Sequence, residues 1–271
     1  MNARVQISSK SNDKIKFVLS LRESRERRKS GLFLIEGLRE LERAIKAQVI
    51  LKEIFLCKDI LSLADITSLT EKYPGVAVFE VSRPIYEHIA MRGGTEGVVA
   101  IAMQWEPNLA RIFGHENPLV FALDGVEKPG NFGAFLRLAD AAGLSGCVVL
   151  DENADLFNPH AIRASLGAIF TVPLAAMSPQ KFLHLCQEKH MSIFAADPDA
   201  EKTIFDVNLF RGPTAVILGS EAEGLSDFWK ENSSVSLIKI PMAGAMDSLN
   251  VSMAGGIIAY EAVRQRSVGS K

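Results

Sequence analysis

Five polar side chains, spread over three short loops, are the residues of this 271-residue chain best suited to chemistry. Asn131 and Arg137 lie in Lys128-Pro129-Gly130-Asn131-Phe132-Gly133-Ala134-Phe135-Leu136-Arg137. Glu221 lies in Gly219-Ser220-Glu221-Ala222-Glu223-Gly224-Leu225. Ser248 and Asn250 lie in the run from Ile240-Pro241-Met242 to Ser248-Leu249-Asn250-Val251-Ser252. Each loop leaves the end of an apolar strand pattern, and small residues in the loops let backbone approach a ligand closely. Ser248 and Asn250 stand near a helix start, where uncapped N–H groups and the positive end of the helix dipole favour anionic ligand groups. Arg137 follows Asn131 by six residues, so both reach one helix end only if the first turn bends inward. Neither glycine-rich loop matches the G-x-G-x-x-G or P-loop pattern, which disfavours a Rossmann dehydrogenase or a nucleoside triphosphatase. All three loops also read as ordinary strand–turn–helix corners, with Arg137 facing solvent and Glu221 capping backbone N–H groups.

The elements that must position these loops alternate strand and helix. Strands are expected at 119–123, 147–150, 192–196, 214–218 and 236–240, and helices at 131–142, 159–170, 179–190 and 226–231. Gly143 ends the first of these helices, and Pro241 stops the last strand because it lacks an N–H. A final helix runs from about Asn250 to Arg266; it is apolar nearly all round and so is expected to be buried. Such alternation implies a parallel sheet with helices on both faces, whose ligands bind beyond the carboxyl ends of the strands. The first hundred residues read as a small α/β domain of their own. Helices are expected at 11–21, from Leu38, at 60–72 and at 84–91; strands at 32–35, 50–57, 76–81 and 98–103; and a loop at Gly93–Gly97. The expected organisation is thus a domain over 1–104, a linker over 105–118 containing two prolines and no clear period, and a second domain over 119–271.

Composition narrows the class. The chain carries a net charge of −2, so it has no overall attraction to nucleic acid. The charge is nonetheless uneven: residues 1–30 hold nine Lys or Arg against three acids. The run Arg25, Arg27, Arg28 and Lys29 is a candidate phosphate-binding surface, although a solvated helix face reads the same way. Cys57, Cys147 and Cys186 show neither a disulfide framework nor a metal spacing, and the five histidines are scattered, so no metal is assigned. With no signal peptide or membrane-spanning apolar run, the expected location is the cytoplasm.

Taken in order, the motifs carry a resemblance. Asn131-Phe132-Gly133-Ala134 with Arg137, Ala139 and Gly143, then Gly219 to Leu225, then Ile240 to Ser252, resemble the three signatures of the SpoU (TrmH) family of RNA 2′-O-ribose methyltransferases. Asn158-Pro159 with Arg163-Ala164-Ser165 and Gly167-Ala168 resembles a further segment of that family. Phe33-Leu34-Ile35-Glu36-Gly37 is similar to the small substrate-binding domain that many members carry. Two positions depart from the pattern: Ala222 stands where glycine is common, and Leu138 where a small hydroxyl residue is common.

The resemblance implies a C-terminal trefoil knot, a homodimer with sites near the subunit interface, and S-adenosylmethionine as cofactor. By position, Leu218, Gly219, Ile240, Met242, Ser248 and Leu249 would line the cofactor pocket, with Ile240 and Leu249 suited to sandwich an adenine. Arg137 would be the catalytic arginine, and Asn131, Glu221, Ser248 and Asn250 would orient it, the ribose and the cofactor. An arginine is almost never neutral in a protein, so its expected role is to bind the adjacent phosphate and stabilise alkoxide charge rather than to act as a simple base. Arg137 and Arg163 join the basic run as expected RNA contacts. Ribosomal RNA is the preferred substrate by analogy. Transfer RNA, a base rather than a ribose as acceptor, and an inactive RNA-binding member are the alternatives.

Overall fold

The computed structural model describes residues 5–62, 64–65, 75–91, 96–125, 128–207 and 212–268. The chain forms two units, Met1–Glu106 with Phe157–Phe170, and Pro107–Leu156 with Thr171–Lys271.

The first unit is built on β1 (Val5–Ile7), α1 (Asp13–Ser20), α2 (Ser24–Ser30), β2 (Leu32–Glu36), α3 (Leu38–Lys46), β3 (Leu51–Leu56), β4 (Ala77–Val81), α4 (Arg83–Ile89) and β5 (Val98–Met103). The sheet order is β1-β4-β3-β5-β2; β1, β4 and β3 run parallel, and β5 runs antiparallel to both β3 and β2. Asn12 starts α1 by accepting the Lys14 N–H at 2.9 Å. Ile15 and Val18, three residues apart, turn the apolar stripe of that helix inward. Phe55 and Phe79 stack across β3 and β4 with ring centroids 5.3 Å apart. The basic run forms a helix of its own, α2, which ends at Gly31 in the left-handed region.

The chain continues with α5 (Leu109–Phe113), β6 (Leu119–Leu123), α6 (Pro129–Ala142) and β7 (Gly146–Val149) in the second unit. It returns to the first for α7 (Pro159–Ala164) and a 3-10 turn, Ala168–Phe170. Then β8 (Leu174–Ala176), α8 (Pro179–Glu188), β9 (Ser192–Ala196), β10 (Thr214–Leu218), α9 (Asp227–Lys230), β11 (Val235–Ile238) and α10 (Val251–Val268) complete the second unit. Its six strands are all parallel, in the order β11-β9-β10-β6-β7-β8. Alternate residues settle the two faces. Val120, Ala122, Ala215 and Ile217 pack with Phe113 of α5, Phe182 of α8 and Trp229 of α9. Phe121 on the other face meets Phe135 of α6 at 5.7 Å. Against that face a Cβ on Gly255 of α10 would come within 2.7 Å of Phe135 and 2.9 Å of Leu218, so the helix approaches this closely only because the residue is glycine.

The structure corrects several expectations. Residues 105–118 are not a bare linker: Asn108 caps α5, whose Ile112 and Phe113 are buried. The helix expected over 159–170 breaks after Ala164, because Leu166 and Gly167 both take positive φ. That segment also packs with the first unit rather than the second. Its Phe157 and Phe170 join Phe33 and Trp105 in one aromatic cluster, and Arg163 donates to the buried Glu36 carboxylate at 2.6 Å. Strands β1 and β8 have no counterpart in the expected elements; at three residues each they are too short to show a period. Helix α10 is not buried all round, since Met253, Ile257 and Tyr260, spaced along one side, are exposed. Most of the expected 60–72 helix, residues 93–95 of the Gly93–Gly97 loop, residues 126–127 after the 119–123 strand and Arg4 of the basic excess lie outside the described residues.

Among the described residues no helix is long and apolar enough to cross a membrane, and no group of three His, Cys, Asp or Glu is placed to hold a metal ion. All three cysteines are free and buried. Burial raises the thiol pKa of each, that of Cys186 up to about 12. The native protein at pH 8 should therefore resist a disulfide-exchange thiol reagent, and all three thiols should react once it is denatured. The raised values also set a sign. The stability contributed by keeping these thiols protonated is fully present below the unfolded thiol value of 9.0 and is lost as pH rises beyond it. A denaturation midpoint that increased between pH 9 and 11 would contradict this.

Candidate active site

The site is assembled at the carboxyl ends of β9, β10 and β11. Strand β10 lies between β9 and β6, where successive connections leave in opposite directions and parallel sheets open a crevice. Beyond Leu218 the chain folds back on itself. The Ser220 N–H donates to the Gly224 carbonyl at 2.9 Å, the Gly224 N–H returns the bond at 3.1 Å, and the Glu223 N–H donates to Ser220 Oγ at 2.9 Å. A Cβ on Gly219 would collide with the backbone of Gly224 and Leu225, so only glycine permits this closure. The turn presents Glu221 and Glu223 outward.

Asn250 ties three elements together. Its Oδ1 accepts the Ser252 N–H at 3.0 Å and the Ser252 hydroxyl at 2.5 Å, capping α10. With its oxygen so engaged, its Nδ2 faces the other way and donates to Asn131 Oδ1 at 3.3 Å and to Glu221 Oε1. Lys128, just before α6, donates to the second Glu221 oxygen at 3.3 Å. Asn131, Glu221 and Asn250, 119 residues apart at the extremes, thus form one hydrogen-bonded cluster. Lys128 is not among the residues the sequence singles out; it sits immediately before a helix-starting proline, a position that aims a side chain at the strand ends.

A cavity of about 340 Å³ lies beside this cluster. All six residues expected to hold the cofactor, Leu218, Gly219, Ile240, Met242, Ser248 and Leu249, line it. Its volume is within the usual range for a small-molecule site, and its lining mixes backbone of the Gly219 turn with aliphatic side chains, which suits a nucleoside-containing cofactor. Ala196, Asp197 and Pro198 at the end of β9 also line it, and sequence reasoning missed them. The signal was the strand itself, whose carboxyl end had to face the same crevice. Asp197 is buried and committed to the Asp199 N–H at 2.9 Å and to Lys230 at 3.2 Å. A second cavity of about 310 Å³ shares Ser220, Glu221, Ala222, Glu223 and Val251 with the first and adds Gly125, Lys128 and Asn131.

The remaining expected residues are not gathered there. Arg137 is exposed, and among the described residues no hydrogen bond or ion pair joins it to Asn131, Glu221 or Asn250; six residues of helix separate it from Asn131 by about 9 Å of rise. Ser248 lines the cavity without joining the hydrogen-bonded cluster. On α2, Arg25, Arg28 and Lys29 face outward, but Arg27 is not available to RNA. Its side chain is buried, and its guanidinium donates to the Leu21 and Arg22 carbonyls at 2.7 and 2.6 Å. Arg163 is likewise engaged, its guanidinium held by Glu36. A charge run on a short helix must turn one member inward, and the sequence alone did not indicate which.

A parallel α/β sheet with a nucleoside-sized cavity at its carboxyl edge, and a carboxamide–carboxylate cluster beside it, defines a cofactor-binding enzyme. Residues 118–260 match the SpoU rRNA Methylase family and residues 12–100 the MRM3-like substrate binding domain. The chain belongs to the SpoU rRNA methylase family, and as a member it is an S-adenosylmethionine-dependent RNA 2′-O-methyltransferase. It is 36% identical over 223 residues to the 23S rRNA (guanosine-2′-O-)-methyltransferase RlmB of Photobacterium profundum, covering 80% of this chain and 90% of that one. It is 35% identical over 201 residues to the RlmB of Vibrio parahaemolyticus, covering 71% and 79%. Among solved structures it is similar to an RNA 2′-O ribose methyltransferase, at a TM-score of 0.84 and 34% identity over 97% of this chain and all of that one. It is also similar to an AdoMet-bound rRNA methyltransferase from Sinorhizobium meliloti, at 0.86 and 27% over 96% and 97%.

The cavity assignment is tested by filling it. Gly219→Ala, which forces the turn open by placing a Cβ against the Gly224 backbone, and Leu249→Arg, which puts bulk where the cofactor must lie, should each weaken S-adenosylmethionine binding by about tenfold or more in calorimetric titration. Unchanged affinity in both variants would remove the assignment.

Proposed function

We propose that this enzyme methylates the ribose 2′-hydroxyl of a guanosine in ribosomal RNA. The observation that carries the proposal is the Asn131–Glu221–Asn250 cluster, whose Glu221 lines both a cofactor-sized cavity and a second cavity that Asn131 and Lys128 also line. The activity of the RlmB relatives supports ribosomal RNA and guanosine. When bound, S-adenosylmethionine supplies an electrophilic sulfonium methyl.

The chain's own residues do the rest. Leu218, Gly219, Ile240, Met242, Ser248 and Leu249 hold the cofactor. Glu221, fixed by Asn250 and Lys128, and Asn131 orient the acceptor ribose, and much of the acceleration comes from that positioning. Arg137, a permanent cation, binds the phosphate next to the acceptor and stabilises developing alkoxide charge. Because Arg137 stands apart from the cluster, we place the acceptor strand across both. We further infer that the C-terminal segment is knotted and that the enzyme acts as a homodimer. The exposed Met253–Ile257–Tyr260 stripe of α10 is the apolar face such a partner would cover. Action on ribosomal RNA agrees with a cytoplasmic location.

Digesting in vitro methylated ribosomal RNA to nucleosides tests the function directly: label on a base, or on no nucleoside, would overturn it. Arg137→Lys keeps the charge but loses the bidentate fork, so kcat should fall by about tenfold or more while S-adenosylmethionine affinity holds. Full activity in this variant would remove the phosphate role.

Arg25, Arg28 and Lys29 are proposed to contact RNA phosphates. Replacing all three with Gln should flatten the salt dependence of RNA affinity by roughly 0.7–0.9 in log–log slope for each phosphate no longer neutralised. An unchanged slope would make α2 a solvated face only.

A further inference from the structure

The cluster at the acceptor end leaves one carboxylate without a task. Glu221 is occupied on both oxygens, by Asn250 and Lys128. Glu223, two residues on in the same turn, has its backbone fixed through the Ser220 hydroxyl at 2.9 Å, yet among the described residues its carboxylate makes no hydrogen bond or ion pair. It lines both cavities, at the wall they share. A side chain on a rigid turn, at the wall shared by the two cavities and with no hydrogen bond or ion pair to its carboxylate among the described residues, is placed to read the acceptor nucleotide rather than to hold the fold.

We propose that Glu223 is the specificity-determining residue for the acceptor base, and that it selects guanine. An ionised carboxylate only accepts hydrogen bonds. Guanine presents two adjacent donors on its Watson–Crick edge, N1–H and N2–H2, spaced to meet the two oxygens of one carboxylate. Adenine and cytosine each offer a donor beside an acceptor on that edge, and uracil a single donor between two acceptors, so each leaves a carboxylate oxygen facing a lone pair. Splayed RNA bases are commonly read on this edge, and a site built to pair with a donor rejects the base that lacks it more strongly than an apolar pocket discriminates by size. The inference rests on the acceptor reading given under Proposed function: Asn131, Glu221 and Lys128 take the ribose side of the second cavity, and Glu223 takes the base side.

The test uses the full chain, unmodified 23S rRNA transcribed in vitro and labelled S-adenosylmethionine, with the product digested to nucleosides. Wild type should place its label in 2′-O-methylguanosine. Glu223→Gln, which turns one acceptor into a donor without changing size, should lower guanosine labelling by about tenfold or more and move part of the label to other 2′-O-methylnucleosides. S-adenosylmethionine affinity in a separate titration should stay within about twofold, because the cofactor is held by other residues. Glu223→Asp should keep the choice of guanosine at a reduced rate. Wild-type rate and guanosine-only labelling in Glu223→Gln would overturn the inference. So would a large loss of S-adenosylmethionine affinity with nucleoside choice intact, which would assign Glu223 to the cofactor. If wild type itself labels no guanosine, the functional reading fails and this one with it.

Discussion

Strand β10 ends against its own continuation, and the site depends on that contact. Gly219 has no Cβ, so the backbone of Gly224 and Leu225 can lie directly on it. The closure pairs Ser220 with Gly224 in both directions, which satisfies backbone groups that would otherwise be orphaned at the mouth of a cavity. It also decides what the turn displays. Backbone faces the cofactor cavity, Glu221 points to Asn250, and Glu223 stands at the wall common to both cavities. A side chain at 219 would force the turn open, and the cavity wall and both carboxylates would move with it.

The second organising element is the single carboxamide of Asn250. Capping α10 fixes the orientation of its amide, because the Ser252 N–H needs an acceptor. The amide's donor end then has one direction left, toward Asn131 and Glu221. Helix capping and site assembly are therefore one interaction, which makes the geometry rigid in the way that positioning catalysis requires. Lys128 closes the arrangement from the opposite side by holding the other Glu221 oxygen.

In the first unit, charge is used for structure as much as for recognition. Arg27 satisfies the Leu21 and Arg22 carbonyls where α2 follows α1, and Arg163 meets Glu36, whose second oxygen accepts the Met91 N–H at 2.7 Å. Burying guanidinium groups is tolerated only with partners of this kind. The basic surface that remains on α2 is correspondingly smaller than the run of cations in the sequence suggests, and its centre is Arg25, Arg28 and Lys29.

The sequence by itself determined the parallel second sheet, whose strands 119–123, 192–196 and 214–218 lie where the apolar runs predict, and the three loops that end at the site. It did so because buried parallel strands are continuous hydrophobic runs bounded by glycine and proline, a signal local in the chain. The six cavity residues named in advance came from the family resemblance of the motifs rather than from local pattern, and that resemblance did not extend to Ala196, Asp197 and Pro198. Only the tertiary structure decided that Arg27 is buried, that 157–170 packs with the first unit, that α10 leaves Met253, Ile257 and Tyr260 exposed, and that Lys128 and Glu223 belong to the site while Arg137 stands apart. Each of these depends on which distant residue lies opposite. Asn250 finds Asn131 across 119 positions, and Arg163 finds Glu36 across 127. Local periodicity carries no record of such partners, because they are fixed by how the sheet and its helices close in space.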